Sequence, residues 1–176
     1  MKKLFLMLFI ATASLSFTTR SAYAQTATSS TVLSGISDES DYYKFASLVR
    51  SANLDAALKA AVTYTVFAPH NAIFRNMSGS KLDSLTNDPA KLAMVLKAHI
   101  IKGKFTKIDI IKKLALGKGK TTFTNLLGQT LKLERTKDDL LWLTDANGNK
   151  ASFIKFDIMD PHGVIHGIDN VLVVGK

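Results

Sequence analysis

Tyr64-Thr-Val-Phe-Ala-Pro-His-Asn-Ala-Ile-Phe74 is the stretch at which the chain changes from helical to extended patterning. Tyr64, Val66 and Ala68 alternate with the β-favouring Thr65 and Phe67, so both faces of a strand carry residues fit for burial. Pro69 ends the ladder, because proline has no N–H to give a neighbouring strand and holds the residue before it extended. His70 or Asn71 is placed to cap a short helix that carries Ile73 and Phe74 inward. A strand, a proline stop and a helix delivering two large apolar residues make this unit the hub of the core.

The flanking segments read as its cover. Upstream, Tyr42, Phe45, Ala46, Leu48 and Val49 share one helical stripe, and Leu54, Ala57, Leu58 and Ala61 form a second after Asn53. Downstream, Lys81 to Leu85 offers a helical turn. Asp88-Pro89 is a cap followed by proline at the first helical position, and the helix it opens aims Leu92, Val95, Leu96 and His99 at the core. Ile100, Ile101 and Phe105 read as a short extended segment around Gly103. A helix over 106–116 follows, with Ile108, Ile111 and Leu114 inward and Gly117 as its stop.

Beyond Gly119 the period becomes two. Residues 121–124, 131–135, 140–144 and 151–157 are strand candidates, and Ala146-Asn-Gly-Asn149 is the clearest turn, since Asn-Gly tolerates the positive φ of a tight hairpin. The run 163–174, with Val164, Ile165, Ile168, Val171, Leu172, Val173 and Val174, predicts a central strand covered on both faces. Helices first and strands later is the α+β pattern.

At the N-terminus, Lys2 and Lys3 precede an apolar run from Leu4 to Ala13, and Ala22-Tyr23-Ala24 has the small-x-small form of a secretory cleavage site. The expected organisation is a signal peptide over 1–24, a Thr/Ser/Ala-rich flexible arm over 25–40 and one domain over 41–176, of a size that buries about 70% of its unfolded surface. The expected location is secreted or periplasmic, with no membrane span. The absence of cysteine excludes a disulfide framework. Loss of Lys2, Lys3 and Arg20 with the leader lowers the 23 basic residues to 20 against 14 acidic ones, leaving about +6 and a mild bias toward anionic partners.

Four segments stand in a fixed order: Thr65-Val-Phe-Ala-Pro-His-Asn-Ala-Ile-Phe74, Leu96-Lys-Ala-His-Ile-Ile101, Thr122-Phe-Thr-Asn-Leu-Leu-Gly-Gln-Thr-Leu131 and Gly163-Val-Ile-His-Gly-Ile-Asp-Asn-Val-Leu172. Together they resemble the fasciclin-like domain family of secreted cell-adhesion modules, over about 40–174, in a bacterial single-domain form. The resemblance implies a compact wedge of mainly antiparallel strands in two sheets, with helices packed along one edge. It marks Thr65, Phe67, Pro69, Asn71, Phe74, His99, Gly163, His166, Asp169 and Asn170 as motif residues. The chain departs from the family pattern in having His70 for a threonine or serine, Ala72 for an acid, Ile73 for a small residue and Ala98 for a tyrosine. Asp157-Ile158 resembles the aspartate-isoleucine pair that some animal members present to integrins, although Ile158 reads equally as a core residue at a strand end.

The chemistry-bearing residues do not assemble into a reactive pattern. His162 and His166 lie about 13 Å apart if extended at ~3.3 Å per residue, too far to share a metal, and His99 and His166 sit among apolar neighbours as buried neutral imidazoles do. No serine stands in a Gly-x-Ser-x-Gly turn. Asp138, Asp139, Asp145 and Asp157 fall at strand ends and turns, and Gly117-Lys-Gly-Lys120 lacks the phosphate-loop spacing. No catalytic, metal or cofactor site and no nucleic-acid partner is expected. The most uneven charge is Lys102, Lys104, Lys107, Lys112, Lys113, Lys118 and Lys120 against Asp109 alone: either a solvated face or a patch for anionic glycan, lipopolysaccharide or an envelope surface. The sequence therefore predicts an exported adhesion or surface-interaction protein with an unknown protein or polysaccharide partner. The alternatives are a soluble periplasmic binder of a small ligand or anionic polysaccharide and, third, a hydrolase.

Overall fold

The computed structural model describes residues 33–37, 40–54, 57–58 and 63–173. The leader, most of the arm, Ala61 of the second helical stripe and Val174 lie outside these residues. Strand β1 (Tyr64–Pro69) is buried along its whole length. It lies between β2 (Ile100–Lys102), antiparallel, and β7 (Gly163–Ile168), parallel. Its alternation sorts side chains between two cores: Tyr64, Val66 and Ala68 enter one with Phe45, Leu96 and Ile165, and Phe67 enters the other with Ile110, Leu133 and Ile168.

The strands form one mixed sheet in the order β2-β1-β7-β6-β5-β4-β3, with β3 (Lys120–Thr124), β4 (Thr130–Arg135), β5 (Leu141–Thr144) and β6 (Lys150–Asp160) completing it. Among the described residues only the β1–β7 pair is parallel. The two expected sheets are two halves of this one, joined through β6. Residues 150–152 of β6 pair with β5, and residues from Phe153 onward pair with β7 through two register shifts, between Phe153 and Lys155 and between Lys155 and Ile158. Bulges add local twist and bend a strand. Past the bend the far edge returns toward the near one: Ile101 bridges Asn125, and Leu126 donates its N–H to the Ile100 carbonyl at 2.9 Å.

Helices α1 (Tyr43–Ser51), α2 (Asn71–Asn76), α3 (Gly79–Thr86) and α4 (Pro89–Ala98) gather on the β1–β2 side, and α5 (Lys107–Leu116) packs on β3 and β4. Local chemistry sets their starts. His70 Nδ1 accepts the Ala72 N–H ahead of α2, and Asp88 accepts from Ala90 and Lys91 ahead of α4. Thr106 and Asp109 form a reciprocal capping box at α5. Buried Asn71 ties α1 to α2, accepting the Lys44 N–H and donating to the Ser40 carbonyl, both at 3.0 Å.

Three expectations are corrected. Helix α5 buries Ile110 and Leu114, leaving Ile108 64% exposed and Ile111 half-buried. Its apolar residues fit either phase, and the cap at Thr106 together with packing on β3 and β4 selects the i, i+4 pair. Within the arm, Leu33 and Ile36 are buried in the first core, and Asp160 Oδ2 accepts the Gly35 N–H at 3.2 Å. Two isolated apolar residues in a polar stretch carry no period that would reveal this. The last strand ends at Ile168 rather than Val174, because Asp169 turns back to accept the Ser152 N–H at 2.7 Å and Asn170 donates to the Lys150 carbonyl at 3.0 Å.

Candidate functional site

His99, His166 and the buried carboxylates serve the scaffold. His99, at the end of α4, has Nδ1 2.7 Å from the Val95 carbonyl, so Nδ1 carries the proton and Nε2 accepts the Leu172 N–H at 2.9 Å. His166 is the reverse tautomer: Nδ1 accepts the Asp157 N–H at 3.2 Å, and Nε2 donates to the Phe105 carbonyl at 2.8 Å. Burial lowers the pKa of both, that of His99 to about 4, against the opposing pull of the bonded carbonyls and of Asp145 and Asp157. Each ring thus stays neutral and joins segments distant in sequence.

Two buried acids do similar work: Asp160, which the sequence did not single out, and Asp145, expected as a solvated acid at a turn but buried here. Asp160 accepts from the Tyr64 hydroxyl and the His162 N–H through Oδ1 and from Gly35 through Oδ2. Asp145 accepts the N–H groups of Asn147 and Asn149 through Oδ1 and that of Val173 through Oδ2. An aspartate directly before Ala-Asn-Gly-Asn is an Asx-turn signal, which makes Asp145 legible in retrospect, whereas the reach of Asp160 to residue 35 is not. Among the described residues no group of three or more His, Asp or Glu side chains could hold a metal ion.

The lysine stretch divides. Lys102 and Lys113 line a shallow groove with Phe105, Thr122, Phe123 and Thr124, and no acid is among the lining residues. Lys113 Nζ lies 5.2 Å over the Phe105 ring, which holds the ammonium at the groove wall. Lys104, Lys112 and Lys118 are exposed but do not line it. Lys120 instead pairs with Glu134 at 3.0 Å, directly across the β3–β4 register, and holds that carboxyl below its usual range.

Asp157 occupies the irregular part of β6 at φ +58°, and its Oδ1 accepts the Lys107 N–H at 2.8 Å at the start of α5. Ile158 is half-buried against the first core. A second, larger groove of about 540 Å³ runs between α2, α3, α4 and the segment 170–173.

Residues 40–174 match the Fasciclin domain model. The chain belongs to the fasciclin domain family. It is 28% identical over 140 residues to an uncharacterized protein of Synechocystis sp., sll1735, covering 80% of this chain and 94% of that one. It is 29% identical over 112 residues to the cell surface glycolipoprotein MPB83 of Mycobacterium bovis, covering 62% and 43%. The structure superposes with a TM-score of 0.63 on a FAS1 domain pair from the insect cell adhesion molecule fasciclin I, at 19% identity, covering 80% of this chain and 47% of that one.

Several fasciclin motif residues have visible tasks here. Thr65 Oγ1 donates to the Gly103 carbonyl at 2.7 Å and accepts the Phe105 N–H at 2.9 Å, which fixes the turn beneath the lysine groove. Gly163 lets β7 approach β1, since a Cβ there would stand 2.3 Å from the Tyr64 carbonyl oxygen. Asp169 and Asn170 turn the chain out of β7 into the wall of the larger groove. Among the described residues no helix is long and apolar enough to cross a membrane.

Proposed function

We propose that this fasciclin domain is an exported surface-interaction module of the cell-adhesion kind, released by cleavage after Ala24, that works by contact rather than by chemistry. The observation that carries this reading is the groove flanked by Lys102 and Lys113, where two cations, an aromatic ring and the threonines of an edge strand meet without an acid among the lining residues. Such a surface suits an anionic polysaccharide of the cell envelope: the ammonium groups meet its charges, while Phe105 and Thr122 meet sugar faces and hydroxyls. The cell-surface relative and the cell-adhesion structural neighbour support the same class of role.

The test is binding of the chain 25–176 to immobilised anionic envelope polysaccharide at low and physiological salt. Retention at ~0.02 M that falls toward ~0.15 M, where the screening length is about 8 Å, is the expected result. Equal retention on a neutral polysaccharide would overturn it.

A further inference from the structure

The larger groove lies apart from the lysine surface and differs from it in chemistry. Ile73 of α2, Val95 of α4 and Val171 and Val173 of the terminal segment give it apolar walls, and Lys81 of α3 and Lys91 of α4 stand among its lining residues. Its volume of about 540 Å³ falls within the ~300–1,000 Å³ typical of small-molecule sites. No acid is among the residues that line it, and neither lysine pairs with a carboxylate among the described residues. Lys91 Nζ is held at 2.9 Å from Ser84 Oγ, a neutral partner that positions the ammonium without cancelling its charge.

Two asparagines of the lining are already engaged. Asn149 donates to Asp145, and Asn170 donates to the Lys150 carbonyl while its own oxygen accepts the Val171 N–H. The two ammonium groups are therefore the cationic handles of an apolar trough.

We infer that this groove binds a long-chain carboxylate, its alkyl tail along Ile73, Val95, Val171 and Val173 and its carboxylate between Lys81 and Lys91. The tail gains by leaving water, at roughly 25 cal/mol per Å² of apolar surface covered. The headgroup gains two ion-paired, charge-assisted contacts, where an alcohol of equal chain length offers the ammonium groups only a neutral acceptor and a cation offers none. Charge complementarity selects this occupant: an uncharged apolar peptide would leave both ammonium groups unpaired, and a cationic amphiphile would be repelled.

The experiment is calorimetric titration of the chain 25–176 with dodecanoate below its micelle concentration, beside dodecanol and dodecyltrimethylammonium, with amide chemical shifts recorded throughout. The expected result is saturable one-to-one binding of dodecanoate, with shifts concentrated at 171–173 and in α4. Dodecanol and the cation should bind at least tenfold more weakly. Lys81→Gln with Lys91→Gln should weaken dodecanoate about tenfold, equivalent to 1.4 kcal/mol, and leave the fold intact because both positions are exposed. Equal affinity for all three amphiphiles, unchanged affinity in the double variant, shifts confined elsewhere or no saturable binding would each overturn the inference.

Discussion

His99 Nε2 accepts the backbone N–H of Leu172 at 2.9 Å, so the end of α4 and the segment after β7 are joined by a ring that must stay neutral. Protonation would turn that acceptor into a donor facing another donor. The folded pKa, about 4, lies below the ordinary ~6.5, so the unfolded chain binds the proton more readily. Stability from His99 is present above pH ~6.5 and is lost as pH falls from there through about 4, by up to ~3 kcal/mol. His166 is shifted in the same direction and adds to the slope. Urea midpoints from pH 7 to pH 4 should fall more steeply for the parent than for His99→Gln; parallel curves would exclude this origin.

Asp160 is the acceptor that binds residue 35 and Tyr64 to the end of β6. Removing it in Asp160→Ala takes the acceptor from the buried Tyr64 hydroxyl and from the part-exposed N–H groups of Gly35 and His162, and a buried donor left unsatisfied costs about 1–3 kcal/mol. A loss of about 2–4 kcal/mol is expected, with faster amide exchange at Gly35 and Ile36. An Asp160→Ala protein that melts with the parent would show that residues 33–37 hold by apolar contact alone.

Gly167 of β7 lies against Tyr42, and a Cβ there would stand 2.2 Å from the Tyr42 hydroxyl oxygen and 2.4 Å from Cζ. The ring is buried, and β7 is pinned between β1 and β6, so neither side yields easily. Gly167→Ala should cost about 1–3 kcal/mol, as overpacking does. Pairing it with Tyr42→Phe should restore part of that loss; a single variant as stable as the parent would contradict the close approach.

Within the lysine stretch, Lys102→Glu with Lys113→Glu should abolish low-salt retention on anionic polysaccharide, whereas Lys112→Glu with Lys118→Glu should weaken it modestly. Both pairs carry the same change in net charge, so the comparison separates a local groove from general attraction. Each exposed substitution should shift stability by only about 0.5 kcal/mol, with slightly more for Lys113, which also covers the Phe105 ring. Equal losses from both pairs would mean that the groove has no special part.

The sequence by itself determined what short-range physics controls. The alternation at Tyr64–Ala68, the proline stop, the cap at Asp88-Pro89 and the positive φ at Gly148 follow from backbone sterics and period within a few residues. So does the α+β order, and the four ordered segments sufficed to suggest the family. Only the tertiary structure decided the phase of α5, the burial of Leu33 and Ile36, and the end of β7 at Ile168. It alone also decided which lysines share a groove. Lys102 and Lys113 meet because β2 and α5 both pack where β3 closes back toward β2, while Lys120, two residues from the groove residue Thr122, is drawn to Glu134 by strand register. Lys81 and Lys91 reach a common trough because the chain that leaves β7 runs past α4, held there by His99 and Asp145. Such convergences depend on contacts between residues distant in sequence, and local periodicity carries no record of them.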